Sequence, residues 1–174
     1  MGIVKEIIVI EDRFKEVISF IPGIEVGGDT FPVTFGYGDP KELNAFLKSK
    51  ENDEFHPYPL IWLLYPVTEE HRKTEVILNN AQFIIAVDTN SSILNEERLT
   101  TSYKEVLFLI YNNFILAMSK SNTINLKRDV KVTKFPNYSG DEKTSMHFTT
   151  DGWDALKVII NCRINNVCLK TIKL

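Results

Sequence analysis

The side chains best suited to acid–base or metal chemistry in this chain are three histidines, His56, His71 and His147. Imidazole changes charge near neutral pH and is the commonest metal ligand. Each of the three falls in a polar loop or strand-flanking segment. None stands at i, i+4 to another ligand type, and no HExxH occurs. Exposed loop positions are the expectation. Carboxylates come in pairs at Glu11-Asp12, Asp53-Glu54, Glu69-Glu70, Glu96-Glu97 and Asp141-Glu142. General acid–base work needs two carboxyls in one cleft, with environments that separate their pKa values. These pairs lie in hydrophilic stretches, which predicts a solvated surface. The glycines at Gly36 and Gly38 flank a strand end and a helix start, where backbone N–H groups can face an anion; turn glycines at positive φ are the competing role. A GxxxxGK[ST] loop, a GxGxxG turn and a GxSxG elbow are all absent. Cys162 and Cys168 are not spaced as CxxC and have no second pair to complete a zinc site. Free thiols acting as small hydrophobes in a reducing compartment are the expectation, with a disulfide between the two as the competing reading. No catalytic residue, cofactor or metal is expected.

Aromatic residues are the more informative group. Phe135, Tyr138, Phe148 and Trp153 lie in FPNYSGDEKTSMHFTTDGW, a stretch rich in turn residues that reads as an irregular loop. Two roles stand for them. They fold back onto the core, or they anchor a contact with another protein, where Tyr, Trp and Phe are enriched. Lys131, Lys134 and Lys143 add local positive charge, too little for nucleic-acid readout.

The elements that would position these groups follow from periodicity. Ile3, Ile7, Ile10, Phe14, Val17, Ile18 and Ile21 recur at helical spacing, and Pro22-Gly23 ends that helix. After a Gly-rich link, FPVTFGY is a short strand. Asp39 is placed as an N-cap with Pro40 at the first helical position and Glu42 in the first turn, opening a helix with Leu43, Phe46 and Leu47 on one face. LIWLLY and VILNNAQFIIAV are strands, with antiparallel pairing of neighbours the default. DTNSSILNEER is a long polar connection. Tyr103 to Met118 forms a broad apolar helical stripe. Ile124, Leu126, Val130 and Val132 alternate as a half-buried strand does, and Arg128 breaks the alternation, which predicts a bulge or an exposed strand end. A last strand runs from Leu156 to Ile164, and VCLKTIKL is a final edge segment. The order α-β-α-β-β-α-β-β lacks regular βα alternation. It predicts one α+β domain over 1–174, a mainly antiparallel sheet with two to three helices packed on one face.

Composition is compatible with that. A chain of 174 residues suits one domain with a sizeable core. The net charge of −3 argues against general binding of nucleic acid or anionic membrane. No apolar run reaches a membrane span, and the acidic residues near the N-terminus do not fit a signal peptide.

The succession PLIWLLYP, VILNNAQFIIAVDT, a polar link with Arg98, and YKEVLFLIYNNFILAM resembles the tail-terminator and tail-completion (neck) proteins of tailed phages, especially those infecting Bacteroidetes-type hosts. FGYGDPKELNAFLKSK before it and DGWDALKVIINCRI after it fit the same layout. The resemblance implies a non-enzymatic virion subunit, made in the bacterial host cytoplasm, that assembles into a hexameric or dodecameric homo-oligomeric ring. Such a ring would contact neighbouring neck or tail-tube proteins and let DNA pass through its lumen without sequence recognition. It implies no cofactor and no membrane association. The aromatic stretch over 134–153 departs from a simple tail terminator and would equally serve a neck or tail-hub subunit.

A ring needs two different contact patches on each subunit. The interface candidates are Phe135, Tyr138, Phe148 and Trp153, together with Lys170 and Lys173 on the C-terminal edge, which either guard that edge or let a neighbour's backbone complete it. The competing readings are a small ligand-binding or enzymatic α+β domain with a dispersed site, and a monomeric protein-interaction adaptor.

Overall fold

The computed structural model describes residues 7–26, 28–48, 59–90, 92–138, 151–167 and 172. Its elements in chain order are α1 (Ile10–Ile18), β1 (Ile24–Val26), β2 (Asp29–Phe31), β3 (Thr34–Gly38), α2 (Pro40–Lys48), β4 (Leu60–Leu64), β5 (Glu69–His71), β6 (Glu75–Asn90), α3 (Asn95–Arg98), a π-helical stretch (Leu99–Leu107), α4 (Phe108–Lys120), β7 (Ile124–Leu126), β8 (Lys131–Tyr138) and β9 (Asp151–Asn165). The class is α+β. β1 and β2 form a separate hairpin, with Gly28 at φ 94° in its turn.

Two long strands, β6 and β9, pair antiparallel along nearly their whole length and make the middle of the sheet. Each carries a two-part arm on its outer edge. β4 and β5 lie in series along β6, and β7 and β8 lie in series along β9. β3 adds to β4 as the one parallel pair, with α2 as the crossover between them. Bulges bend this framework. Between Leu78 and Ala81 the register against β9 gains a residue, with Asn80 at φ 59° and its N–H donating to Asn161 Oδ1 at 2.7 Å. A second bulge lies between Phe135 and Tyr138, with Asn137 at φ 53°. The interruption expected at Arg128 is the gap between β7 and β8, bridged by Lys127 N–H donating to the Asn161 carbonyl at 2.9 Å.

Alternation along the strands sends side chains to two faces. Ile61, Leu63, Phe83, Ile85, Leu156, Val158 and Ile160 join α1, the π-helical stretch and α4 in the larger core. At its centre Phe83 of β6 meets Phe14 of α1 at 4.9 Å between ring centroids and Phe114 of α4 at 5.0 Å. Leu60, Trp62, Leu64, Ile84, Ala86 and Ala155 point the other way, and Leu43 and Leu47 of α2 cover them. The helices therefore do not share one face, because α2 crosses over to the opposite side. Its start is fixed as the sequence predicts: Asp39 Oδ1 accepts from the N–H groups of Lys41 and Glu42, both at 2.8 Å, and Glu42 Oε2 accepts from Asp39 N–H at 2.8 Å.

Several segments differ from the periodicity reading. The first helix begins at Ile10, with Ile7 exposed ahead of it and Ile3 outside the described residues, and the TEEHRKTE connection contains β5. β9 begins at Asp151 rather than near Leu156, and β8 runs to Tyr138, so the expected irregular loop is strand on both sides of residues 139–150, which lie outside the described residues. β6 extends to Asn90 and helix begins at Asn95, so the polar connection DTNSSILNEER is mostly regular structure. The predicted C-terminal edge strand, with Cys168, Lys170 and Lys173, falls almost wholly outside the described residues.

Candidate functional site

Of the interface candidates, Phe135, Tyr138 and Trp153 come together. Phe135 and Tyr138 stand on either side of the β8 bulge, which absorbs one residue so that both face the α2 side of the sheet. Tyr138 packs edge-on to Phe135 at 5.7 Å and to Trp153 at 5.5 Å. Tyr138 is 6% and Trp153 8% exposed, both within the second core, and Phe135 is packed half-buried against it. Within the chain these rings line the core rather than stand out as free anchors. Phe148, Lys170 and Lys173 lie outside the described residues, and so do His56 and His147.

The remaining predicted chemistry resolves into local structural roles. His71 lies exposed on β5, with Nε2 2.8 Å from Glu69 Oε2. Gly36 has no room for a side chain: a Cβ there would sit 2.5 Å from the Trp62 ring. Gly38, at φ 144°, gives its carbonyl to Trp62 Nε1–H at 3.2 Å and to the Tyr65 N–H at 2.9 Å. Both glycines are thus used by β3 and β4 rather than by an anion. Cys162 is a buried free thiol whose pKa burial pushes up to about 12, with Lys127 opposing. Among the described residues no group of three His, Cys, Asp or Glu side chains is placed to hold a metal ion.

The most unusual polar feature carries no signal in periodicity or motif. Arg98, at the junction of α3 and the π-helical stretch, is 1% exposed, and Asp154 of β9 is 0% exposed. Arg98 Nη1 donates to Asp154 Oδ1 at 2.5 Å, and Nη2 donates to the Ile93 carbonyl at 2.9 Å. The β8 bulge brings Asn137 N–H to the same carboxylate oxygen at 3.4 Å. Tyr103 lies beside the pair; burial, and then the Asp154 charge, hold its phenol protonated well above the usual range, while Arg98 pulls the other way. Tyr103 Oη and Asp154 Oδ2 find no hydrogen-bond partner among the described residues. Lys134 of β8 closes the outside, its Nζ 5.6 Å from the Tyr103 ring centre and 5.2 Å from that of Phe108. A sealed pair of this kind cannot receive a substrate. It ties the helical layer to the central strand.

An open concavity lies elsewhere. Glu11, Asp39, Tyr65, Pro66, Val67 and Glu69 line a groove of about 520 Å³. Its polar groups are already engaged: the Tyr65 hydroxyl donates to Glu11, and Asp39 caps α2. Among the described residues no histidine or cysteine joins them there.

The fold and these sites define an α+β protein built on a bulged, mainly antiparallel sheet with a helical layer on each face. No protein-family model matches the chain, and no curated protein matches it. No helix among the described residues is long and apolar enough to cross a membrane.

Proposed function

We propose that this chain is a structural subunit of a tailed-phage neck or tail, working through contacts within a ring of its own copies and with adjoining neck or tail-tube proteins. One observation carries the reading. The sheet ends on opposite sides in two unlike strands, β3 and the β7–β8 arm, and neither has an outer partner among the described residues. A ring is closed by heterologous contacts, which need two different patches on opposite sides of a subunit. Leu109 and Leu116, 46% and 39% exposed on the outer side of α4, add apolar area for such a contact. The polar groups are consistent with a mechanical role: the buried charges cross-link layers, and the carboxylates of the open groove serve as hydrogen-bond acceptors. DNA would pass through the lumen without being read.

Light scattering and negative-stain imaging of the purified chain, alone and mixed with portal-side and tail-tube proteins of a tailed phage from the same source, test this. Closed rings of uniform symmetry are expected. A monomer that stays monomeric with those proteins present overturns the proposal and favours an adaptor. Saturable binding of a small molecule in the Glu11–Tyr65 groove by such a monomer favours a ligand-binding domain.

A further inference from the structure

Helical geometry and the buried ion pair do not agree unless the π-helical stretch intervenes. In the helical layer the buried positions are Arg98, Ser102, Tyr103, Leu107, Ile110, Phe114, Ala117 and Met118. From Tyr103 onward the steps are those of an α-helix. Arg98 lies four residues before Ser102 and five before Tyr103, the latter being the spacing that i→i+5 hydrogen bonds place on one face, and the phase relative to Leu107 decides between the two registers. The nine residues of the stretch carry the chain from Arg98 to Leu107. At about 100° per residue an α-helix would turn two and a half times over that length and aim Arg98 away from Leu107, into solvent. Each π turn holds about one residue more than an α turn. Two such turns bring Arg98 back over the sheet, onto Asp154.

We infer that Leu99–Leu107 is a two-state register element, latched in π form by the Arg98–Asp154 pair, whose alternative is an α-helical register with Arg98 turned outward. The opposing forces are both visible. Local backbone preference favours α geometry, since π turns are rare and short. Tyr103 Oη and Asp154 Oδ2, buried without partners among the described residues, add to the cost of the latched state. Against these stands the buried pair, strongly held once formed because neither charge can be left alone in the core. Arg98 and its helical turn are the part that moves. α4 stays seated through Phe114 on Phe83. The outward register would present a guanidinium at the start of the helical layer, where it can meet a carboxylate of another chain.

Native-state hydrogen exchange on the full chain in low denaturant tests this. Amides of Leu99–Leu107 should open in a step of their own, at least about tenfold faster than those of α4 and the central strands. Asp154→Asn should widen the gap. Deleting Thr100 and Thr101, both exposed, sets Arg98 seven residues before Leu107, about two full α turns, so that an ordinary α-helix keeps Arg98 on Asp154. That deletion should fold and protect the segment as well as α4 is protected. The inference is overturned if the wild-type segment exchanges only with global unfolding, if Asp154→Asn speeds exchange equally everywhere or nowhere, or if the deletion variant unfolds or leaves the segment open. Should Asp154→Asn not fold, the wild-type and deletion measurements decide alone.

Discussion

Arg98 and Asp154 meet at 2.5 Å with almost no solvent contact, although 56 residues separate them in the chain. The contact joins the start of the helical layer to the strand at the middle of the sheet. Removing Arg98 leaves the Asp154 carboxylate buried on β9 without its counter-ion, so Arg98→Ala should lower stability by about 3–5 kcal/mol in urea unfolding, and Asp154→Ala by less because Arg98 can turn outward. The double change Arg98→Met with Asp154→Leu should recover most of that loss, because a buried pair replaced by apolar groups of similar volume is often neutral. A double variant as unstable as the sum of the singles would contradict this coupling.

Gly36 lies against Trp62, and a methyl group there would sit 2.5 Å from the ring. Gly36→Ala should therefore lower stability by about 1–3 kcal/mol through overpacking. Thermal unfolding followed by Trp fluorescence measures it. An unchanged melting temperature would mean that the β3–β4 pair is looser than described.

Tyr138 and Trp153 are core residues of the chain, so Tyr138→Ala and Trp153→Ala should destabilise the fold itself, the Trp change by about 3–5 kcal/mol. Phe135 is less buried, and Phe135→Ala separates the two roles. If it weakens ring assembly while leaving subunit melting nearly unchanged, the edge of this aromatic group reaches an interface. If both change together, its role ends with the fold.

The Cys162 thiol has its pKa raised to about 12 by burial. In the unfolded chain a thiol loses its proton near pH 8.5. Between those values the unfolded state binds fewer protons than the folded one, so stability falls as pH rises through that window and is fully present below it. Denaturant midpoints measured from pH 8 to 11 should decline less steeply in Cys162→Ala than in the wild type. In a Cys168→Ala background, reaction of Cys162 with a thiol reagent should follow the unfolding rate. Rapid modification of the native protein would place the thiol at the surface.

Local features of this chain are written locally. The α1 stripe from Ile10 to Ile18, the Asp39–Glu42 cap of α2, the alternation of β9 from Leu156 to Ile164 and the break at Arg128 all depend on residues within a few positions of one another, and each is present where periodicity or cap chemistry puts it, although the helix starts later than the stripe that Ile7 opens. The α+β class follows from their order. Tertiary structure decided the rest. The side taken by α2 depends on the crossover into the parallel β3–β4 pair, which no helical stripe encodes. Tyr138 and Trp153 look like loop aromatics until a bulge in β8 and the early start of β9 turn them onto the α2 face. Arg98 stands in a polar run with nothing to mark it as buried. Its place was set by a π register that shifts the helical phase and by a carboxylate on a strand near the other end of the chain. Periodicity assumes one residue spacing per turn and sees only near neighbours, so a change of spacing coupled to a distant charge appears only once the chain is folded.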